Sequence, residues 1–233
     1  MSTHTPWTTK DVIIIIPAHN EMEIIQQTIA SIPLEYDILV INNNSTDKTA
    51  QRVQESRAVL IQESRQGYGQ AVYTGILEGI RKGYHVGVVF DADAANDPQD
   101  IHQVVTPICQ QTHDLCLAQR TKYAEPESLT AVQAFGNRLA CTLIALITGY
   151  RFSDMGSMRA FPLQKIKELG LEDRDYGWNI EMQIKAVRNN WQILEKDLPY
   201  RKRQGGISKI SGDKRAAFSA GKKIISTAFR YAR

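Results

Sequence analysis

Apolar residues along this chain fall in short blocks separated by polar turns. The first block, residues 12–16, is one valine and four isoleucines, stopped by Pro17. Five uncharged β-formers in a row suit a strand covered on both faces, because a half-exposed strand would alternate. A helix is predicted over 22–31, with Ile24, Ile25, Ile29 and Ile32 on its buried side. Strands follow at 38–41 and 59–61, and Ser45, Thr46 and Asp47 offer side-chain acceptors to open a helix between them. Gly67-Tyr68-Gly69 leads into a helix ending near Gly83. A fourth strand, 86–90, ends in Asp91 and Asp93. Asp97-Pro98 is an N-cap and N1 pair for the next helix, and 115–118 is a further strand. This alternation predicts the α/β class, a mostly parallel central sheet covered by helices.

The second half is less regular. A long helix is expected over 129–148, a strand at 157–161, a helix at 178–189 and a strand at 193–200. A basic, glycine-containing loop follows over 201–212. The last twenty residues form an amphipathic helix with Phe218, Ile224, Ile225, Ala228 and Phe229 as its apolar set. We therefore expect a single domain over 1–212 and a dependent C-terminal helix over 213–233.

Composition narrows the function classes. The chain has 233 residues, 42% of them hydrophobic, and a net charge of +3, so bulk attraction to nucleic acid is not indicated. Mean hydropathy is −0.32, that of a soluble globular protein. The tail is nonetheless basic: from residue 200 onward ten lysines and arginines face one acid, Asp213, which points to phosphate ligands or an anionic surface. Cys109, Cys116 and Cys141 lack CxxC spacing, so neither a disulfide framework nor a zinc site is suggested. Residues 1–10 hold no apolar signal core, and the apolar stretch 139–147 is too short to span a bilayer. The expected location is the cytoplasm, with peripheral contact at the inner membrane face through the C-terminal helix.

The candidate chemistry begins at Asp91 and Asp93, which emerge where an open α/β sheet binds ligands, beyond the strand C-termini. No GxGxxG or GxxxxGK[ST] follows any strand, so a diphosphate would need another means of support. Mg²⁺ or Mn²⁺ suits, because hard cations bind through one or two carboxylates together with substrate phosphates.

Several segments together carry a resemblance. They are Ile13-Ile14-Ile15-Ile16-Pro17-Ala18-His19-Asn20-Glu21, Val40-Ile41-Asn42-Asn43-Asn44-Ser45-Thr46-Asp47, Phe90-Asp91-Ala92-Asp93, Gly136-Asn137-Arg138-Leu139, Ser153-Asp154-Met155-Gly156-Ser157-Met158-Arg159-Ala160-Phe161, and residues 200–209. In this order they resemble the family-2 inverting glycosyltransferases of GT-A (Rossmann-like) fold, in the branch of dolichyl- and polyprenyl-phosphate mannosyl- and glucosyltransferases. The resemblance implies hexose transfer from a UDP- or GDP-linked sugar to a polyprenyl-phosphate acceptor, with a soluble hydroxyl acceptor or a non-catalytic nucleotide-sugar binder as alternatives. It implies donor contacts from Pro17, Ala18, Asn20, Glu21, Asn43, Asp91, Asp93, Arg201, Arg203 and Lys209, and a metal on Asp91 and Asp93. Arg120 and Arg138 correspond to a pair gripping the acceptor phosphate. Asp154 stands where relatives acting on hydroxyl acceptors keep a general base; it could instead orient Arg159 or cap its turn. Two departures matter. Asn42-Asn43-Asn44 replaces the family's Asp-Asp-Gly, which leaves the base open, and Ala95 replaces a Gln that ligates metal in relatives. A homo-oligomer is left open.

Overall fold

The computed structural model describes residues 5–93, 95–120, 122–125, 128–156, 158–202, 226–227 and 230–231. The isoleucine run becomes β1 (Val12–Ala18), whose residues alternate between two cores because successive side chains leave opposite faces of a strand. Ile14 and Ile16 join one core with α1 (Ile25–Ser31), α2 (Thr49–Gln54) and α4 (Ile101–Cys109). Ile13 and Ile15 join the other, with α3 (Tyr68–Arg81), α5 (Ala131–Thr148), α6 (Leu163–Glu168) and α7 (Trp178–Arg188).

The remaining strands are β2 (Asp37–Asn43), β3 (Val59–Glu63), β4 (Val86–Val89), β5 (Leu115–Gln119), β6 (Arg159–Pro162) and β7 (Ile193–Asp197). They form one seven-stranded sheet in the order β3-β2-β1-β4-β6-β5-β7. β1, β2, β3 and β4 run parallel, as do β5 and β7; β6 lies antiparallel between β4 and β5. The mostly parallel α/β sheet expected from the chain is found. β3 and β7 are its two edges.

Several boundaries move. The first helix starts at Ile25 instead of residue 22, because Glu21 carbonyl accepts from both Ile24 and Ile25 in a turn. None of the three residues expected to cap α2 is its N-cap, which is Lys48; Asp47, one residue earlier, accepts from Thr49 N at 2.9 Å. Ser45 turns instead to Asn20 N, at 3.0 Å. The 139–147 stretch sits inside an 18-residue helix that is, by length and composition alone, apolar enough to cross a membrane. Most of the C-terminal helix expectation, including Phe218, Ile225 and Phe229, lies outside the described residues. The described part packs on the domain: Thr227 Oγ1 donates to Asp173 at 3.1 Å, and Tyr231 OH to Glu181 at 2.7 Å.

Candidate functional site

The parallel strands β1, β2, β4 and β5 all end on one side of the sheet, and their following loops are stitched to one another. Asn20, at φ 55, accepts from Thr46 N at 2.8 Å, and Glu21 N donates to Thr49 Oγ1 at 2.8 Å. Asn tolerates this left-handed backbone better than most residues, so the sharp exit from β1 carries little strain. Pro17 and Ala18 line the same exit, with Ala18 buried and Pro17 half-buried.

Asn43 is used up by the fold. Its amide nitrogen donates to Arg65 carbonyl at 2.6 Å, its oxygen accepts from Gly67 N at 2.9 Å, and its own carbonyl meets His19 Nδ1 at 2.7 Å. Asn42 differs. Its nitrogen donates to Gln62 at 2.7 Å while its buried Oδ1 has no partner among the described residues. Gly67 stands at φ 144, and a Cβ there would collide with the Arg174 carbonyl, so only glycine fits this junction.

Asp91 and Asp93 occupy the loop after β4. Asp93 is buried and accepts from Ala95 N at 3.1 Å. The loop is held from below by Thr28 Oγ1 on Ala92 carbonyl at 2.8 Å, and from the side by residues 200–201. Arg201 N donates to Ala95 carbonyl at 2.8 Å, and its guanidinium pairs with Asp97 at 2.7 Å. Tyr200 pairs with Asn96 in an isolated antiparallel bridge. Burial pushes the Tyr200 phenol up to about 12, and Asp93 and Asp91 add to it. Burial also raises Tyr68, with Asp91 next in effect. The two carboxylates thus reinforce the neutral state of both tyrosines.

Arg120 and Asp154 form a closed unit. Asp154, fully buried, accepts from Arg120 N at 2.9 Å, Nε at 2.8 Å and Nη2 at 2.8 Å. Burial alone would raise the Asp154 carboxyl, but these bonds outweigh it and hold it below the usual carboxylate range. Burial opposes the Arg120 charge, and the same bonds raise it instead. The guanidinium also lies 5.4 Å from the Tyr200 ring centroid.

Arg138, on α5, is exposed. Its neighbour Asn137 ties the helix to the site loop by accepting from Met155 N at 2.8 Å. Arg203 and Lys209 lie outside the described residues, so of the three loop cations expected at the donor only Arg201 is described.

Arg159, in β6, is a member the sequence reading assigned no role of its own. It is fully buried, donates to the Met155 and Gly156 carbonyls, and lies 5.7 Å from the Trp178 ring. Burial lowers its pKa, opposed by Tyr68 and Asp91, and its Nε and Nη1 find no partner among the described residues. An arginine between Met158 and Ala160-Phe161 in an apolar strand was the available signal.

No group of three or more His, Cys, Asp and Glu side chains capable of holding a metal occurs among the described residues. The fit is instead to a hard cation that takes one or two carboxylates and completes its shell with phosphate oxygens and water, which Asp91 and Asp93 can supply.

Three comparisons bear on this arrangement. The model of the family described as Glycosyl transferase family 2 matches residues 13–166. An uncharacterized glycosyltransferase of Mycobacterium tuberculosis is 31% identical over 213 residues, covering 90% of this chain and 94% of its own. The undecaprenyl-phosphate mannosyltransferase of Micrococcus luteus is 28% identical over 221 residues, covering 86% and 88%. Among solved structures, glucosyl-3-phosphoglycerate synthase from M. tuberculosis, in complex with Mn²⁺ and UDP-glucose, aligns with a TM-score of 0.76 at 19% identity, covering 98% of this chain and 85% of that one. At that identity the likeness concerns the fold, and it makes the sheet described above the GT-A arrangement.

Proposed function

This chain belongs to glycosyl transferase family 2, within its polyprenyl-phosphate branch, and from that membership we propose that it transfers a hexose from a UDP- or GDP-linked sugar to a polyprenyl phosphate. The observation that carries the reading is the loop of Asp91 and Asp93 at the parallel strand ends, clamped by Tyr200 and Arg201. Asp91 and Asp93 would hold Mg²⁺ or Mn²⁺, whose chemistry is to stabilise the charge of a departing nucleoside diphosphate. Arg201 adds a cation beside that loop, and Arg203 and Lys209 extend the basic run in the sequence. Pro17, Ala18, Asn20 and Glu21 shape the nucleotide end. Asn42 is a better candidate than Asn43 for reading the base, because its Oδ1 is left as an acceptor for a base N–H.

The acceptor class is supported by Asp154. A hydroxyl nucleophile needs a base, whereas a phosphate arrives already ionised. Asp154 is saturated by three bonds from Arg120 and held ionised by them, so it is arranged to orient Arg120. Arg120 and Arg138 would then receive the acceptor phosphate, Arg138 supplying the open guanidinium fork.

Turnover of radiolabelled UDP- and GDP-sugars with a polyprenyl phosphate and Mn²⁺, in wild type and Asp93→Ala, tests the reading. The variant is expected to fold normally and lose turnover by about 100-fold or more, the scale of removing one transition-state charge stabiliser. Near-normal turnover of Asp93→Ala at saturating Mn²⁺ would overturn the assignment.

A further inference from the structure

α5 turns most of its apolar surface outward. Of its 18 residues only Ala140 and Ile144 are buried, while Val132, Phe135 and Leu146 are 50%, 69% and 78% exposed. At 3.6 residues per turn these three, with the half-buried Leu139 and Leu143, fall on one stripe along the helix. Arg138 and Thr142, both exposed, lie along one border of that stripe. From Ser128 to Ser153 the sequence contains Arg138 and Arg151 and no acid.

We propose that this stripe of α5 lies on an anionic lipid surface, so that the acceptor's chain stays in the bilayer while its phosphate meets Arg138. The inference deepens the reading of a polyprenyl-phosphate acceptor and rests on it for that last clause. Three observations select lipid over a second copy of the chain. The stripe's charge has a single sign, which complements anionic headgroups; a twofold pairing of the stripe with itself would set arginine against arginine with no acid on the helix to relieve it. The stripe is small. An 18-residue helix is roughly 27 Å long, and at a width of about 10 Å it offers some 270 Å², well short of the roughly 800 Å² per partner of a stable protein interface. The same helix also borders the site: Asn137, on the face opposite the stripe, holds Met155 beside the Arg120–Asp154 unit, and Arg138 lies between the two faces. An exposed apolar patch at the mouth of a site for a lipid-linked phosphate marks where that lipid's solvent meets the protein.

Flotation of the full chain with phosphatidylcholine vesicles containing phosphatidylglycerol tests the proposal. Wild type is expected to float. A Phe135→Gln, Leu146→Gln double variant should lose partitioning by about tenfold or more, the scale of two large apolar side chains no longer buried. Leu34→Gln, at the 84% exposed residue between α1 and β2, should change nothing. The double variant should also keep wild-type turnover on a short, water-soluble prenyl phosphate while losing it on a long-chain acceptor in vesicles. Equal flotation of wild type and double variant, or no flotation of wild type, overturns the proposal. So does a concentration-dependent dimer in sedimentation velocity that the double variant abolishes. If flotation behaves as expected but no prenyl phosphate of any length accepts sugar, the membrane surface stands and the acceptor reading fails.

Discussion

α3 and α5 cover the same face of the sheet and spend their apolar residues in opposite directions. α3 buries Ala71, Val72 and Ile76, and its Gly75 lets the helix close on Ile15, where a Cβ would collide with the isoleucine side chain. α5 is the longer helix and buries two residues. Beyond the core that Ala140 and Ile144 share with Phe152 and Met155, its side of the molecule is fastened by polar ties: Asn137 to Met155, Arg120 to Asp154, and Glu195 accepting from Ser153 N at 3.0 Å. The side proposed for the donor is therefore closed by a tightly packed helix, and the side proposed for the acceptor adds charged and hydrogen-bonded ties to its core beneath an outward apolar surface. Hydropathy ranks α5 as the more apolar helix, yet it is the one that turns its apolar residues outward. What each helix faces separates them.

The ties should yield first. Arg120→Ala leaves Asp154 buried and uncompensated, at a cost of about 3–5 kcal/mol, read as a lower urea midpoint. The sign of its pH dependence follows from the carboxyl. In wild type the Asp154 pKa lies below its ordinary value, so the stability it contributes is complete above pH ~3.9 and is lost as pH falls through the folded value. Without Arg120, burial raises that pKa and the stability is lost as pH rises instead. The gap between variant and wild type should be widest near neutrality and narrow toward pH ~4. A gap that widens on acidification would mean the pair does not hold this side together.

Arg138→Ala should leave stability untouched and weaken handling of the acceptor by about 1.5–3 kcal/mol, seen in acceptor KM or kcat while the donor Kd moves only a few fold. Equal damage to donor binding would move Arg138 to the donor side of the comparison. Gly75→Val probes the packed half. Overpacking against Ile15 should destabilise by about 1–3 kcal/mol without changing the ratio of donor to acceptor KM. The smallest effect is expected at Phe135→Gln, within about 0.5 kcal/mol of wild type in urea melts. A larger loss there would show that the stripe is covered by protein after all.

Much of the half proposed to hold the donor was legible in the chain because its signals are local. The valine–isoleucine run is a buried strand by composition, Asp97 accepts from Gln99 N at 3.0 Å as its Asp-Pro pair implies, and the two aspartates fall beyond β4 as their place after an apolar run requires. The half proposed to meet the acceptor depends on partners distant in sequence. Nothing in the four residues of β6 encodes its direction, which is set by the long excursion through α5 that brings the chain back to the end of the sheet where β5 left it. Asp154 was read as a base or as a support for Arg159, and it is Arg120, 34 residues earlier, that occupies it. Asn43 looked available for a base until Arg65 and Gly67 were seen to take both ends of its amide. The burial of Arg159 is likewise a property of the two neighbouring strands and not of its own.

The two margins of the sheet have a consequence for handling the protein. β3 and β7 each expose one row of backbone groups, a template on which another molecule could add a strand. Both are five residues long; β3 ends in Gln62-Glu63, and β7 ends in Glu195-Lys196-Asp197. A strand added to either would strip water from those charges, so fibre-like growth from the sheet is opposed at both ends. Association during concentration or refolding should then begin at the outward helix, where mild detergent suppresses it and added salt does not.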